Sequence, residues 1–230
     1  MEKSLLTLAV VMGSLMQWVR APGPPTSQGT PIILVDVSAA EDLKPFADEA
    51  REVCRRMYPI IARELASDGF TPPRVVTIIF KEEDRFPAAT AGDRIFCSAK
   101  WFRDHPDDVG AIVHELAHVI QSYPKYDPPW LVEGIADYVR FYRYEPGSQR
   151  PSPDPKKAKY TDGYRTTAAF LAWIEEQHDP KIVVRLNAAC REGRYRPELF
   201  ETFTGKPLDE LWAQYLQALS AHPRAGTRAN

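Results

Sequence analysis

Residues 111–121, AIVHELAHVIQ, place two histidines and a glutamate in the middle of an otherwise apolar helical run. His114 and His118 are four positions apart, so they lie on the same face of a helix and can direct two ring nitrogens at one ion. Glu115 lies about 100° around the helix from His114, from where it can reach a water on that ion without binding the ion itself. The alternative, ordinary core residues, would bury a glutamate without a partner, which is costly.

This HExxH spacing supplies two metal ligands and one adjacent general base. A catalytic zinc site also needs a third protein ligand and an open fourth position. The stretch WLVEGIADYVR (130–140) offers Glu133 and Asp137, again one helical turn apart. We predict that Glu133 is the third ligand and that Asp137 accepts a hydrogen bond from the far ring nitrogen of one histidine. Asp137 as the direct ligand is the alternative.

The rest of the pattern predicts an α+β fold, with a small N-terminal mixed sheet and a helical C-terminal half. A chain of 230 residues, 44% of them hydrophobic, suits one domain with a real core, which we assign to residues 30–220. The β-branched run RVVTIIF (74–80) is typical of a strand buried on both faces, and DRIFCSAKWF (93–102) is expected at a sheet edge. The other predicted elements are a strand at 31–38, a helix within 40–69, helices around the two motifs, and helices at about 162–177, 180–192 and 207–220.

The two ends of the chain are predicted to lie outside this domain. Residues 1–21 resemble a secretory signal, with a lysine near the start, a short apolar core and a small residue before the prolines. The apolar run is too short for a membrane span, so we expect export to a secreted or periplasmic location. A signal-like anchor and a misplaced start are the alternatives. Residues 221–230 are expected to form a disordered tail.

Charge and cysteine usage exclude several classes of function. The net charge is −2 and the basic residues are scattered, which argues against a nucleic-acid partner. Cys54, Cys97 and Cys190 are odd in number and have no CxxC spacing, so they do not form a cysteine metal site. Three buried thiols, or one disulfide and a free thiol, are both compatible with the sequence. The oligomeric state is not predicted.

The paired motifs also carry a family resemblance. HELAHVIQ followed by PPWLVEGIADYVR resembles the basic secretory protein family of plants and bacteria, a family of zinc peptidases, and more broadly the gluzincins, which combine HExxH with a later glutamate. The segments YTDGYRTTAAFLAWIEE, LNAACREGRY and TGKPLDELWAQY are similar to that family as well, so the resemblance spans residues 30–220. The chain is not a metzincin, because Gln121 and Pro124 stand where that motif needs Gly and His. It departs from the family's name in being mildly acidic.

The resemblance implies a fold, a cofactor and a set of roles. The implied fold is zincin-like, with zinc held by His114, His118 and Glu133 and with Glu115 as the general base. It also implies that the strand before the zinc helix, DRIFCSAKWF, pairs with an extended substrate, which is a general way to hold a peptide.

The expected reaction is hydrolysis of a peptide bond, in a peptide or protein substrate, by a water that Glu115 deprotonates. The developing oxyanion needs a further donor, for which we favour Tyr164, with Tyr160 and His178 as alternatives. Trp130 is expected to pack at the start of its helix rather than line the cleft. The alternative functions are another amide hydrolase, acting on cell-wall peptides or glycopeptides, and a low-turnover binding protein that keeps the fold.

Overall fold

The computed structural model describes residues 30–83, 85–148 and 153–221 and shows a four-stranded mixed sheet followed by a helical C-terminal half. The predicted α+β class is therefore confirmed. The strands are β1 Ile32–Asp36, β2 Val75–Lys81, β3 Ala88–Ala91 and β4 Arg94–Ser98. The helices are α1 Lys44–Glu64, α2 Ala99–Asp104, α3 Val109–Gln121, α4 Pro129–Val139, α5 Tyr164–Gln177, α6 Ile182–Arg191, α7 Glu198–Thr204 and α8 Leu208–Ala221.

The sheet has the order β1-β2-β4-β3, with β1, β2 and β4 parallel and β3 antiparallel to β4. One of its faces packs against the helices. Alternate β2 residues, Val76, Ile78 and Phe80, are at most 1% exposed, whereas Val75, on the opposite face of the strand, is 37% exposed and Thr77 and Ile79 are half-buried. The prediction that β2 is buried on both faces is wrong, because its β-branched run fits a strand with one covered face equally well.

The strand predicted at 93–102 is shorter than expected and does not lie at a sheet edge. It ends at Ser98, whose hydroxyl accepts a hydrogen bond from the amide of Trp101 (3.1 Å) and so begins α2. β4 also lies inside the sheet, whose two edge strands are β1 and β3; β3 was not predicted. Gly92 has φ +62° in the two-residue turn that joins β3 to β4, which is the conformation that such hairpin turns require.

The N-terminus of α3 is fixed by one aspartate that serves three groups. Asp108 accepts a hydrogen bond from the amide of Ala111 (3.3 Å), as expected of an N-cap residue. It also accepts from Arg140 Nη2 (2.6 Å) and from the indole nitrogen of Trp101 (3.0 Å). Because Arg140 directly follows α4, this cluster joins the start of α3 to the end of α4.

The C-terminus of α3 is held by Arg191 of α6. Its guanidinium donates to the carbonyl oxygens of Ile120 and Gln121, each at 3.0 Å, and to that of Leu65 just after α1 at 2.9 Å. These are carbonyl groups that a helix end leaves without an intrahelical partner. α3 is therefore anchored at both ends.

The later helices match the sequence pattern except for one. α5, α6 and α8 form where helices were predicted, whereas the short α7 was not predicted. Trp130 packs on Tyr160, Tyr195 and Phe200 with ring centroids 5.2 to 6.4 Å apart. The three cysteines, Cys54, Cys97 and Cys190, are buried free thiols.

The described helices include none that is long and apolar enough to cross a membrane. The predicted leader, residues 1–21, and the predicted tail, apart from Ala221, lie outside the described residues.

Gly134 allows α4 and α5 to approach closely. A Cβ at this position would overlap the side chain of Thr167 on α5. Thr167 is fully buried, and its hydroxyl donates to the carbonyl of Tyr160 (2.7 Å), so its side chain cannot rotate away freely. Small residues at this contact therefore set the distance between the two helices.

We predict that Gly134→Ala lowers the free energy of unfolding by about 1–3 kcal/mol, the usual cost of overpacking, although alanine is the better helix former. Urea denaturation measures the change. Gly147→Ala is the matched control, because its Cβ would meet no atom within 4 Å. A Gly134→Ala protein as stable as the wild type would contradict the close contact.

Candidate metal centre

Two helices bring three potential metal ligands to one point. His114 and His118 project from α3, and Glu133 projects from α4. The two Nε2 atoms are 3.0 Å apart, and Glu133 Oε2 lies 3.1 Å from His114 Nε2 and 3.6 Å from His118 Nε2. One ligand atom from each residue lies within 4.8 Å of the other two, as a shared metal ion requires.

These separations fit tetrahedral zinc. Ligands about 2.05 Å from a tetrahedral ion lie about 3.3 Å from one another, by the geometry of the tetrahedron. The observed distances of 3.0, 3.1 and 3.6 Å bracket that value. The residues present therefore fit a zinc ion in both type and spacing.

The far side of each imidazole is also occupied. His114 Nδ1 lies 2.7 Å from Asp137 Oδ1, and His118 Nδ1 lies 2.7 Å from Gln121 Oε1. Each partner oxygen is an acceptor, so each Nδ1 carries the hydrogen and each Nε2 is left to face the cluster. The Gln121 amide is itself oriented, because its nitrogen donates to the carbonyl of Val132 (3.0 Å).

Gln121 was not predicted as a site residue. It lies three positions after His118, on a neighbouring part of the helix surface. A polar amide in the last turn of an apolar helix, at that spacing from a ligand, is the signal that could have identified it.

The electrostatics of the cluster favour a positive charge. Burial lowers the pKa of His114, but the hydrogen bonds to Asp137 and Glu133 outweigh burial and raise it to about 10. Burial raises the pKa of Glu133, but its interactions with His114 and His118 hold that pKa well below its usual range. Two carboxylates thus contact one imidazole. A bound cation would neutralise their negative charge as a proton on the imidazole does.

Glu115 lies beside this cluster, with only 8% of its surface exposed. Its carboxylate Oε2 accepts a hydrogen bond from Thr90 Oγ1 (2.8 Å), on the edge strand β3. Thr90 was not predicted as a site residue, because it lies 25 positions away in a strand that the sequence did not reveal.

Of the two tyrosines predicted as oxyanion donors, Tyr164 lies beside His114 and Tyr160 does not. Tyr164 begins α5, and its ring lies nearly parallel to that of His114, with centroids 6.2 Å apart. Tyr160 packs instead on Trp130 and Trp212. The structure also shows Tyr126, which was not predicted: its hydroxyl donates to the second oxygen of Glu133.

His178 lies outside the cleft, against Trp173 with ring centroids 4.9 Å apart. The cleft itself has a volume of about 1030 Å³ and is large enough for several residues of a peptide. Its walls are formed by β3, by one face of α3 and α4, by the loop between these helices and by the start of α5. All six predicted site residues line the cleft: His114, Glu115, His118, Glu133, Asp137 and Tyr164.

Residues 26–215 match the protein family described as peptidase of plants and bacteria. The chain belongs to this family. Membership confirms the predicted resemblance, and it supports peptidase activity.

The chain also has a distant similarity to two solved structures. A mutant M1 zinc metallopeptidase from Deinococcus radiodurans bound to a Tyr-Ser-Ala substrate is 17% identical, with a TM-score of 0.41, and the match covers 76% of this chain and 45% of that one. A second mutant structure of an M1 zinc metallopeptidase from the same organism is 16% identical, with a TM-score of 0.40 and coverage of 76% and 45%. The chain thus spans less than half the length of these structures. No curated protein sequence matches the chain.

We predict that Gln121→Met weakens the affinity for added zinc about 10- to 100-fold, the usual cost of removing a group that orients a metal-bound histidine. Competition with a chelating dye measures this affinity. Gln214→Met is the matched control, because Gln214 is a glutamine of α8 that donates to Glu210 and is not among the residues that line the cleft. Unchanged zinc affinity in Gln121→Met would show that Gln121 does not orient His118.

Proposed function

We propose that this member of the family is a zinc-dependent peptidase, with the ion held by His114, His118 and Glu133 and with Glu115 as the general base. The observation that carries the proposal is the separation of the three ligand atoms, 3.0 to 3.6 Å, on the wall of a cleft. Asp137 and Gln121 orient the two histidines from behind.

When bound, zinc supplies a Lewis acid that polarises a carbonyl group and makes water more acidic. The residues of the chain do the rest. The Glu115 carboxylate takes a proton from the attacking water and delivers it to the leaving amine. The same side chain thus acts first as the general base and then as the general acid.

The oxyanion that forms at the scissile carbonyl needs a donor from the protein. We propose Tyr164 for this role, because it lines the cleft and its ring lies nearly parallel to that of His114. Burial and the neighbouring Glu133 raise the pKa of its hydroxyl, so the group stays protonated and able to donate at neutral pH. Tyr126 donates a hydrogen bond to Oε1 of Glu133, so that Oε2 is left to bind the metal.

The substrate is a peptide or protein chain, which we place along β3. Among the described strands, β3 pairs only with β4, so its other edge can pair with an extended segment. The leader-like pattern of residues 1–21 supports export, and hence a substrate outside the cytoplasm.

We predict that Glu115→Gln lowers kcat about 10²- to 10⁴-fold, the usual contribution of a general base, while the zinc content stays at the wild-type level. A quenched-fluorescent peptide library measures cleavage, and mass spectrometry measures zinc. Glu176→Gln, on the exposed surface of α5, is the matched control.

A Glu115→Gln protein that cleaves peptides as fast as the wild type would refute the role of Glu115. Cleavage of peptidoglycan fragments, with none of the linear peptides, would instead identify an amide hydrolase of the cell wall.

A further inference from the structure

Thr90 contacts the proposed general base at two atoms. Its hydroxyl oxygen lies 2.8 Å from the Glu115 carboxylate Oε2 and 3.0 Å from the Glu115 main-chain carbonyl. The residue is half-buried in β3 and lines the cleft. It therefore links the edge strand of the sheet directly to the catalytic part of α3.

The hydroxyl has one hydrogen to donate, and two oxygens compete for it. The main-chain carbonyl of Glu115 lies inside α3, where it has an intrahelical partner. The carboxylate oxygen is closer, and a bond to an ionised acceptor is stronger than one to a neutral carbonyl. The carboxylate is therefore the favoured acceptor.

Among the described residues, Thr90 is the one that donates a hydrogen bond to the Glu115 carboxylate. Within residues 30–83, 85–148 and 153–221, no other side chain or amide donates a hydrogen bond to it, and Oε1 accepts none. A buried carboxylate on a flexible side chain can occupy several rotamers unless a partner fixes it. One oxygen is thus fixed, and the other is left for water.

We propose that Thr90 is a positioning residue, whose hydroxyl fixes Oε2 of Glu115 so that Oε1 faces the water that attacks the substrate. This inference rests on the proposed function of Glu115. It gives the edge strand a second role, because β3 would both pair with the peptide and orient the base. A purely structural role, joining β3 to α3, is the competing explanation.

Three variants separate the two explanations. Thr90→Val has nearly the same shape and no hydroxyl, Thr90→Ala removes the hydroxyl without adding a methyl group, and Thr90→Ser keeps the hydroxyl. Thr77→Val is the matched control, since Thr77 is a half-buried threonine of β2, which is separated from β3 by β4. For each full-length protein, we would measure the melting temperature, the zinc content, kcat and KM on the peptide of a quenched-fluorescent library that the wild type cleaves best, and the Glu115 rotamer in a crystal structure.

We expect Thr90→Val and Thr90→Ala to lower kcat about 10- to 100-fold, which corresponds to a hydrogen bond to a charged group, with KM and zinc content unchanged and the melting temperature lowered by roughly a few degrees. In both crystal structures the Glu115 carboxylate should leave its wild-type position. Thr90→Ser should restore the rate and the position, and Thr77→Val should match the wild type.

A Glu115 carboxylate that keeps its place in Thr90→Val and Thr90→Ala would overturn the inference, and so would a Thr90→Ser protein as slow as Thr90→Val. The crystallographic comparison does not depend on activity. If the wild type cleaves no peptide in the library, the proposed function fails, while the position of Glu115 still decides the role of Thr90.

Discussion

The structure depends on the close approach of two imidazole rings and one carboxylate, all of which can bind a cation. His114, His118 and Glu133 direct ring nitrogens and a carboxylate oxygen at a point where these atoms are only 3.0 to 3.6 Å apart. The nearby Asp137 and Glu133 carboxylates raise the pKa of His114, so they favour a positive charge at this point, either a proton or a bound cation. The three ligand atoms are therefore close enough to share one ion, and two imidazoles with one carboxylate form a donor set that fits zinc.

The rest of the fold holds α3 and α4 in the one arrangement that allows this approach. Asp108 joins the start of α3 to Arg140 after α4, and Arg191 of α6 holds the other end of α3. Gly134 sets the distance from α4 to α5, the helix that carries Tyr164. The sheet contributes Thr90 from its edge strand. Each of these contacts joins elements that are distant in sequence, which explains why a site on two helices needs the whole domain.

Local spacing made part of this arrangement predictable, and long-range contacts hid the rest. The pairs His114 with His118, and Glu133 with Asp137, follow from helical periodicity, because residues four apart share a face. Thr90 could not be found in this way, since the segment AATA is too short and too poor in β-branched residues to be recognised as a strand. Tyr126 lies in the loop between α3 and α4, where no periodicity applies. The misplaced sheet edge has the same origin, because strand order is not encoded in the pattern of a single strand.

The most direct test of this account is the zinc content of the purified chain, measured by mass spectrometry beside a Glu133→Ala variant. We expect about one zinc per chain, the stoichiometry of a site with three protein ligands, and loss of most of it in the variant. A wild-type protein that takes up no zinc when zinc is offered would contradict the account, and so would a Glu133→Ala variant that binds zinc as tightly as the wild type.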